Sequence, residues 1–413
     1  MSAVDGPTGP VMRGPERWFT LSGGKNVMVV VHTVVYGQRL RDVFELLRSD
    51  LRIQVRFTIA PHAFNPGVLA FLDALGAQVV PWAEAVASDH DLVLAAGSRG
   101  IEQLHGPLLR IPHGAGHIKL TGSAGARHRS VSGLGRDFLM SGDRMVPAAY
   151  ALAHQDDLTL LARSCPEALP IAEVVGDASY DRIERSLALR EEYRRALGVR
   201  GGEQLVVICS TWGHGSSFNR LDALLPRVLA DLDPADGFRT VLMLHPNAWA
   251  GHGGWQVRAW LAGDGRRTVS VLPPEADWRP LLVAADAVIG DHGSVTLYAA
   301  MCGVPILMAR FPEQDVNPYS PGAALAVLAP ALSLTHSLSR QLGYARDHYQ
   351  PGAYRGVAAR ISSEPGGFNR RMRSLMYRLL NLGEPAHEPE TEALPRPEPL
   401  PLPAGLVGGG EAS

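Results

Sequence analysis

The sequence predicts an α/β protein of two Rossmann-like domains facing a central cleft. Short β-branched and other apolar runs alternate with segments of helical period, the pattern of parallel sheets covered by helices on both faces. The series pauses near residue 180 and restarts near residue 205. At 413 residues the chain is also too long for one ordinary core, on a prior of roughly 150 residues per domain.

In the first series, strands are expected at 26–33, 53–59, 78–82, 91–96 and 108–113, then at 138–141 and 171–176. Helices are expected up to about residue 49, at 67–75 and over 146–163, and a glycine-rich stretch fills 114–135. The second series has strands at 205–210, 240–245, 269–272, 287–290 and 305–308. Residues 1–24 and 383–413 are rich in Gly and Pro or in Pro and Glu and lack periodicity, so both are expected to be unpacked tails. Between them the predicted order is a domain over 25–180, a charged linker helix over 181–200, a second domain over 201–345 and C-terminal helices crossing back over 346–382.

A formal charge of −2, from 39 basic and 41 acidic residues, gives no global attraction for nucleic acid. Cys165, Cys209 and Cys302 are far apart and at no metal-ligand spacing, which points away from a disulfide framework and towards a reducing, cytoplasmic setting. The first apolar run, 27–31, is too short for a signal core or a membrane span. Residues 368–382 are basic and amphipathic. They are expected either to pack onto the first domain or to touch an anionic membrane surface, which would place the protein at the inner membrane face.

In an open parallel sheet, ligands bind beyond the carboxyl ends of the strands. That rule selects four polar loops: Ile111-Pro-His-Gly-Ala-Gly-His-Ile-Lys119, Ser210-Thr-Trp-Gly-His-Gly-Ser216, Leu244-His-Pro-Asn247 and Ile289-Gly-Asp-His-Gly-Ser-Val295. In the last of these a strand stops at Asp291-His292-Gly293-Ser294 and a helix starts at Val295-Thr296. Backbone N–H groups, a hydroxyl and a glycine there suit a phosphate, and the alternative is that Asp291 or Ser294 caps the helix. His245, at a strand end before Pro246, offers an imidazole to a phosphate or base, or to the backbone. His113, flanked by Pro112 and Gly114, is placed as a general base, with His117 and Lys119 either as phosphate contacts or, for Lys119, as a solvated group at the loop end. Asp231-Leu-Asp233 has the Asp-x-Asp spelling of metal-dependent sugar transferases, yet its position before Pro234 predicts a solvated turn. No metal site or cofactor is expected, and no P-loop, nucleophile elbow or His-Glu-x-x-His pair occurs.

Taken in order, these motifs resemble the CDP-glycerol glycerophosphotransferase family, the teichoic-acid primases and polymerases of the GT-B superfamily. The 109–119 stretch is similar to that family's His-Gly-Thr-x-x-Lys segment. Val174-Val-Gly-Asp-Ala-Ser-Tyr-Asp181 is similar to its Gly-x-Pro-Arg-x-Asp segment, and Val207-Ile-Cys-Ser-Thr-Trp212 to its Ala-Pro-Thr-Trp strand end. Leu244-His-Pro246 and Gly290-Asp-His-Gly-Ser294 resemble its His-Pro and Asp-Tyr-Ser-Ser motifs. The family threonine is Ala115 here, and the proline and arginine are Asp177 and Ala178. The resemblance covers residues 90–310.

It implies a GT-B transferase that takes a glycerophosphate or glycosyl group from a CDP- or UDP-linked donor to an acceptor hydroxyl, without metal, in building cell-envelope polymers. The first domain would hold a small-molecule or lipid-linked acceptor and the second the donor nucleotide. His113 is carried over as base, and Thr211, His245, Asp291, His292, Gly293, Ser294, Val295 and Thr296 as donor-binding residues, with Gly114 and Lys119 on phosphate or acceptor. Two alternatives stay open. One is a non-hydrolysing nucleotide-sugar 2-epimerase, for which Asp177 and Asp291 would supply the carboxylates. The other is a non-catalytic nucleotide-sugar-binding scaffold.

Overall fold

The computed structural model describes residues 23–122, 129–261 and 269–400. In the first half the strands are β1 (Lys25–Val31), β2 (Ile53–Ile59), β3 (Val79–Val80), β4 (Leu92–Ala95) and β5 (Leu108–Arg110). Two antiparallel hairpins follow, β6 (Leu120–Thr121) with β7 (Ser130–Val131) and β8 (Met140–Ser141) with β9 (Arg144–Met145). Then come β10 (Ala149–Leu152) and β11 (Ala172–Val174). The seven-stranded sheet runs β11-β10-β5-β4-β1-β2-β3 and every pair in it is parallel. Val27 through Val31 are fully buried, as expected of a central strand covered on both faces.

The second half contains β12 (Gln204–Ser210), β13 (Phe238–Leu244), β14 (Ser270–Val271), β15 (Ala287–Asp291) and β16 (Ile306–Arg310). They form a five-stranded parallel sheet in the order β14-β13-β12-β15-β16. Its two faces carry separate hydrophobic clusters, one around Val207, Val241 and Val288 and the other around Ile208, Leu242 and Ile289. The alternation along each strand produces that division.

The single helix expected over 146–163 is instead β10 followed by the helix Gln155–Ser164. Ala149, Tyr150, Ala151 and Leu152 are all buried because β10 lies inside the sheet, and a short run apolar on both faces reads alike as strand or helix. The helix begins at 155 because His154 accepts from Asp156 N while Asp157 accepts from His154 N, a reciprocal cap. The strand expected at 138–141 is a helical turn, Arg136–Leu139, leading into the two residues of β8.

The expected linker is two helices, Ala178–Ser186 and Arg190–Ala196. It is not a free surface segment, for Ile183, Tyr193 and Leu197 are buried in the second domain's core. Arg190 and Arg194 both pair with Asp286 and donate to carbonyls at residues 283–285, where the helix Arg279–Ala284 ends.

After helices on the second domain, the chain returns to the first as the helix Phe368–Leu379. Phe368, Met372, Leu375 and Met376 are buried in the first domain's core. Arg371, Arg373 and Arg378 pair with Glu364, Glu384 and Glu173. Of the two expected alternatives for 368–382, the helix takes packing onto the first domain: its apolar face is covered, and most of its basic groups are paired. Among the described residues no helix is long and apolar enough to cross a membrane.

The tail expected to be unpacked from 383 onward is corrected over 383–400. Arg373 donates to His387 O, Asn369 to Glu390 O, Tyr193 Oη to Leu394 O, and Leu394 N to Ser186 Oγ. Leu394 and Leu400 are buried in the second domain's cluster, so the segment straps the two halves together. Proline content argues against helix or sheet but not against packing as an extended strand. The rest of the expected tails, 1–22 and 401–413, lies outside the described residues. Leu394→Ala should lower stability by about 2–5 kcal/mol, the usual range for a buried leucine. A denaturation midpoint equal to wild type would show that the strap does not hold in solution.

Candidate functional site

The carboxyl ends of the two sheets face each other across a cavity of about 490 Å³. Every residue singled out from the four loops, from His113 to Thr296, lines it. The cavity is therefore built by both domains, with the 113–119 segment from the first and the 210–212, 244–246 and 291–296 segments from the second among its walls.

The first-domain contribution is the 113–119 segment, which reaches beyond its own domain. Ala115 and Ile118 are buried in the second domain's core. Ile118 O accepts from Asn317 N at 2.7 Å, and His117 O from Asn317 Nδ2 at 3.3 Å. A Cβ on Gly114 would stand 3.2 Å from Ser294 Oγ. One on Gly116, whose φ is +77°, would stand 2.8 Å from Pro321 Cγ and 2.9 Å from Leu297 Cδ2. The two glycines let the loop lie against the helix Ser294–Ala299, which brings His113 beside the 291–296 loop.

His113 is half-buried, and its ring lies 5.0 Å from that of Tyr36. Burial, then the charges of Lys119, His117, Arg110 and Arg39, pull its pKa down to about 4, so at neutral pH it is an unprotonated imidazole able to accept a proton. His117 turns the other way, with Nδ1 3.0 Å from Ser132 O and Nε2 3.9 Å from Asp157, and so stands against its own domain. Lys119 crosses the cleft and donates to Thr211 Oγ1 at 3.2 Å, with the Trp212 ring centroid 5.5 Å from Nζ. Burial lowers the Lys119 pKa, and the charge of Asp291 opposes that.

Asp291 has a different part from the one expected. It is fully buried and accepts from Ser210 Oγ (3.1 Å), Thr211 N (3.0 Å), Ser217 N (2.9 Å) and Gly293 N (3.1 Å). Those four donors fill a carboxylate's acceptor capacity. Asp291 thus fixes the Thr211 loop and the turn at Gly293, and has no acceptor position left over. Burial raises its pKa, and the backbone hydrogen bonds from Ser217 and Thr211 oppose the rise. Neither Asp291 nor Ser294 caps the following helix. Gly293 is its N-cap, in extended conformation with no side-chain hydrogen bond.

His245 caps the helix Pro246–His252, accepting from Asn247 N through Nδ1 at 3.1 Å. Nδ1 is therefore the bare nitrogen and Nε2 carries the proton, a donor available to the cavity. Burial, then Lys119 and His113, push its pKa down to about 3, which keeps the ring neutral. His292 is buried with Nδ1 unpartnered, and its pKa lies near 4 through burial. Thr296 Oγ1 is also buried and unpartnered, whereas Asp231 and Asp233 lie outside the cavity lining. Asp231 pairs with Arg227 and accepts from Leu338 N, and Asp233 accepts from Ala235 N.

Asp177 is fully buried, pairs with Arg39 at 2.7 Å and accepts from Tyr298 Oη at 2.9 Å. Asp42 likewise pairs with Arg182 at 2.8 Å and Arg279 at 2.7 Å. Arg39 and Asp42 lie on the first-domain helix Val34–Phe44, so both clusters clamp the domains together. Sequence reasoning missed this clamp, as it missed Tyr36 and the Phe64–Trp212 ring contact at 5.1 Å across the cleft. Their partners are remote in sequence, and no local pattern announces them.

No family profile and no curated protein sequence matches the chain. Solved structures do match it, at 11% identity for the wall teichoic acid polymerase TagF, a variant soaked with CDPG, with a TM-score of 0.60 over 86% of this chain and 89% of that one. The fold is GT-B. Two further structures with this fold are similar to the chain. MnaA of S. aureus with UDP has a TM-score of 0.52 and 12% identity, over 89% of this chain and 99% of that one. HepE of Anabaena in complex with UDP-glucose has a TM-score of 0.50 and 14% identity, over 86% of this chain and 100% of that one. The cavity of this GT-B chain lies between the two sheets' carboxyl ends, where its four loops meet.

Proposed function

We propose that this GT-B protein transfers a glycerophosphate or glycosyl group from a CDP- or UDP-linked donor to an acceptor hydroxyl, with His113 as general base. The observation that carries the reading is the meeting of His113, Gly114 and Lys119 with Thr211, His245 and Ser294 at one cavity. His113 would take the acceptor proton as the acceptor oxygen attacks. For a glycosyl group the new bond forms at the anomeric carbon and the nucleoside diphosphate leaves. For glycerophosphate it forms at the distal phosphorus and the nucleoside monophosphate leaves. Lys119, His245 Nε2–H and Ser294 would steady the charge on the leaving phosphates.

The epimerase alternative has less support, because it needs carboxylates free to move protons at a sugar carbon. Asp177 is held by Arg39 and Tyr298, and Asp291 is filled by its four donors. Between a transferase and a non-catalytic scaffold, binding and turnover together decide.

Calorimetric titration of CMP, CDP, UMP and UDP should find one base that binds saturably, with affinity falling about tenfold or more in His245→Ala, the loss of one charge-assisted hydrogen bond. Absence of binding by all four would remove the reading.

A further inference from the structure

Arg110 ends β5, level with Ala95 on one side and Tyr150 on the other. It is fully buried, donates from Nη1 to Phe138 O, and holds its guanidinium 3.4 Å from the Phe138 ring centroid. Nε and Nη2 have no hydrogen-bond partner, and among the described residues no ion pair to a carboxylate forms. A buried guanidinium with no carboxylate at ion-pair distance is costly even beside an aromatic ring. Structural need does not account for it here, since a methionine would fill the same volume without the charge.

Nε and Nη2 lie on one edge of the guanidinium, the two-donor fork that matches an oxyanion. A second unpartnered group lies nearby. His32, just past the end of β1, is fully buried, with Nε2 2.7 Å from Arg99 O and Nδ1 unpartnered, and it is close enough to feel the Arg110 charge. Phe138, which covers Arg110, is at the same time part of the cavity wall, together with Tyr36, Ser132 and Gly133 on the His113 side. Phe138 thus touches both the Arg110 guanidinium and the cavity, and His113 is close enough to feel the Arg110 charge.

We propose that Arg110 forms a second oxyanion subsite on the acceptor side of His113, opened when the Phe138 ring moves aside, and that the acceptor bears a phosphate or carboxylate near its reacting hydroxyl. The acceptor role rests on the transferase reading. The anion site does not.

The test is calorimetric titration of inorganic phosphate, and separately of acetate, into protein saturated with the nucleotide that binds best. Wild type should show one saturable site for at least one of the two anions, and the anion bound names the acceptor group. Arg110→Met should weaken it on the order of thirtyfold or more, as removal of one partner of a buried charged pair does, with nucleotide affinity unchanged. Its Tm should equal or exceed that of wild type. Phe138→Ala, by uncovering the guanidinium, should bind the same anion at least as tightly.

No saturable anion site in wild type and Phe138→Ala, equal binding in Arg110→Met, or a lower Tm in Arg110→Met would each overturn the proposal. If no nucleotide binds, the transferase reading fails by itself, and the same comparison without nucleotide still decides the anion site.

Discussion

His113→Ala should lower kcat by about 10²–10⁴-fold, the usual contribution of a positioned general base, while leaving donor affinity within about twofold of wild type. The split follows from geometry. His113 makes a ring contact with Tyr36 and, among the described residues, no hydrogen bond to the donor loops, so its removal takes away proton transfer without disturbing the Thr211, His245 and Ser294 positions. The pH profile adds a second readout. A base acts when unprotonated, so activity is present above its pKa and is lost as pH falls through it. In kcat/KM, which reports the free protein, the acid limb should lie near the His113 value of about 4 and well below the 6.5 of an ordinary histidine. In kcat the limb should move upward, because a bound diphosphate offsets the positive charge of Lys119, the second cause of the depression. A kcat/KM limb near 6.5, or equal losses of kcat and donor affinity in the variant, would remove His113 from the base role.

The second large effect belongs to Asp291. Asp291→Ala strips the acceptor from three backbone N–H groups and from Ser210 Oγ, and each buried donor left unsatisfied costs about 1–3 kcal/mol. Urea denaturation should therefore show a loss of roughly 3 kcal/mol or more. Nucleotide binding should fall with it, because the Thr211 loop and the Gly293 turn lose their common tether. Asp291→Asn, which keeps one acceptor oxygen, should lie between the two. Should Asp291→Ala keep its stability and lose only nucleotide affinity, the carboxylate touches ligand directly and the tether account is wrong.

Asp291 also shows how sequence and structure divide the information. The sequence places it correctly in a strand-to-helix loop at the cavity, because a strand end, a glycine and a serine are local signals. It says nothing of Thr211, Ser217 and Ser210, some 74–81 residues away, and those partners turn a candidate ligand contact into a tether. His245 is the reverse case. Its strand-end position is legible, and the structure adds that Nδ1 is occupied by Asn247 N, which settles which nitrogen can donate. Asp177 was readable as a free carboxylate until Arg39 and Tyr298, 138 and 121 residues away, closed over it.

By itself, the sequence determined the two parallel sheets, most of their strands though not β10, and the four loops at their carboxyl ends. Strand and helix periodicity and loop residues act over a few neighbours, and local rules read them. Tertiary structure alone decided which polar groups in those loops remain free, the entry of the 113–119 segment into the second domain's core, the packing of the Pro-rich 383–400 strap, and the burial of Arg110 with two donors unmet. Each of these depends on contacts between residues far apart in the chain, where burial and hydrogen-bond capacity are shared out only once the domains have met.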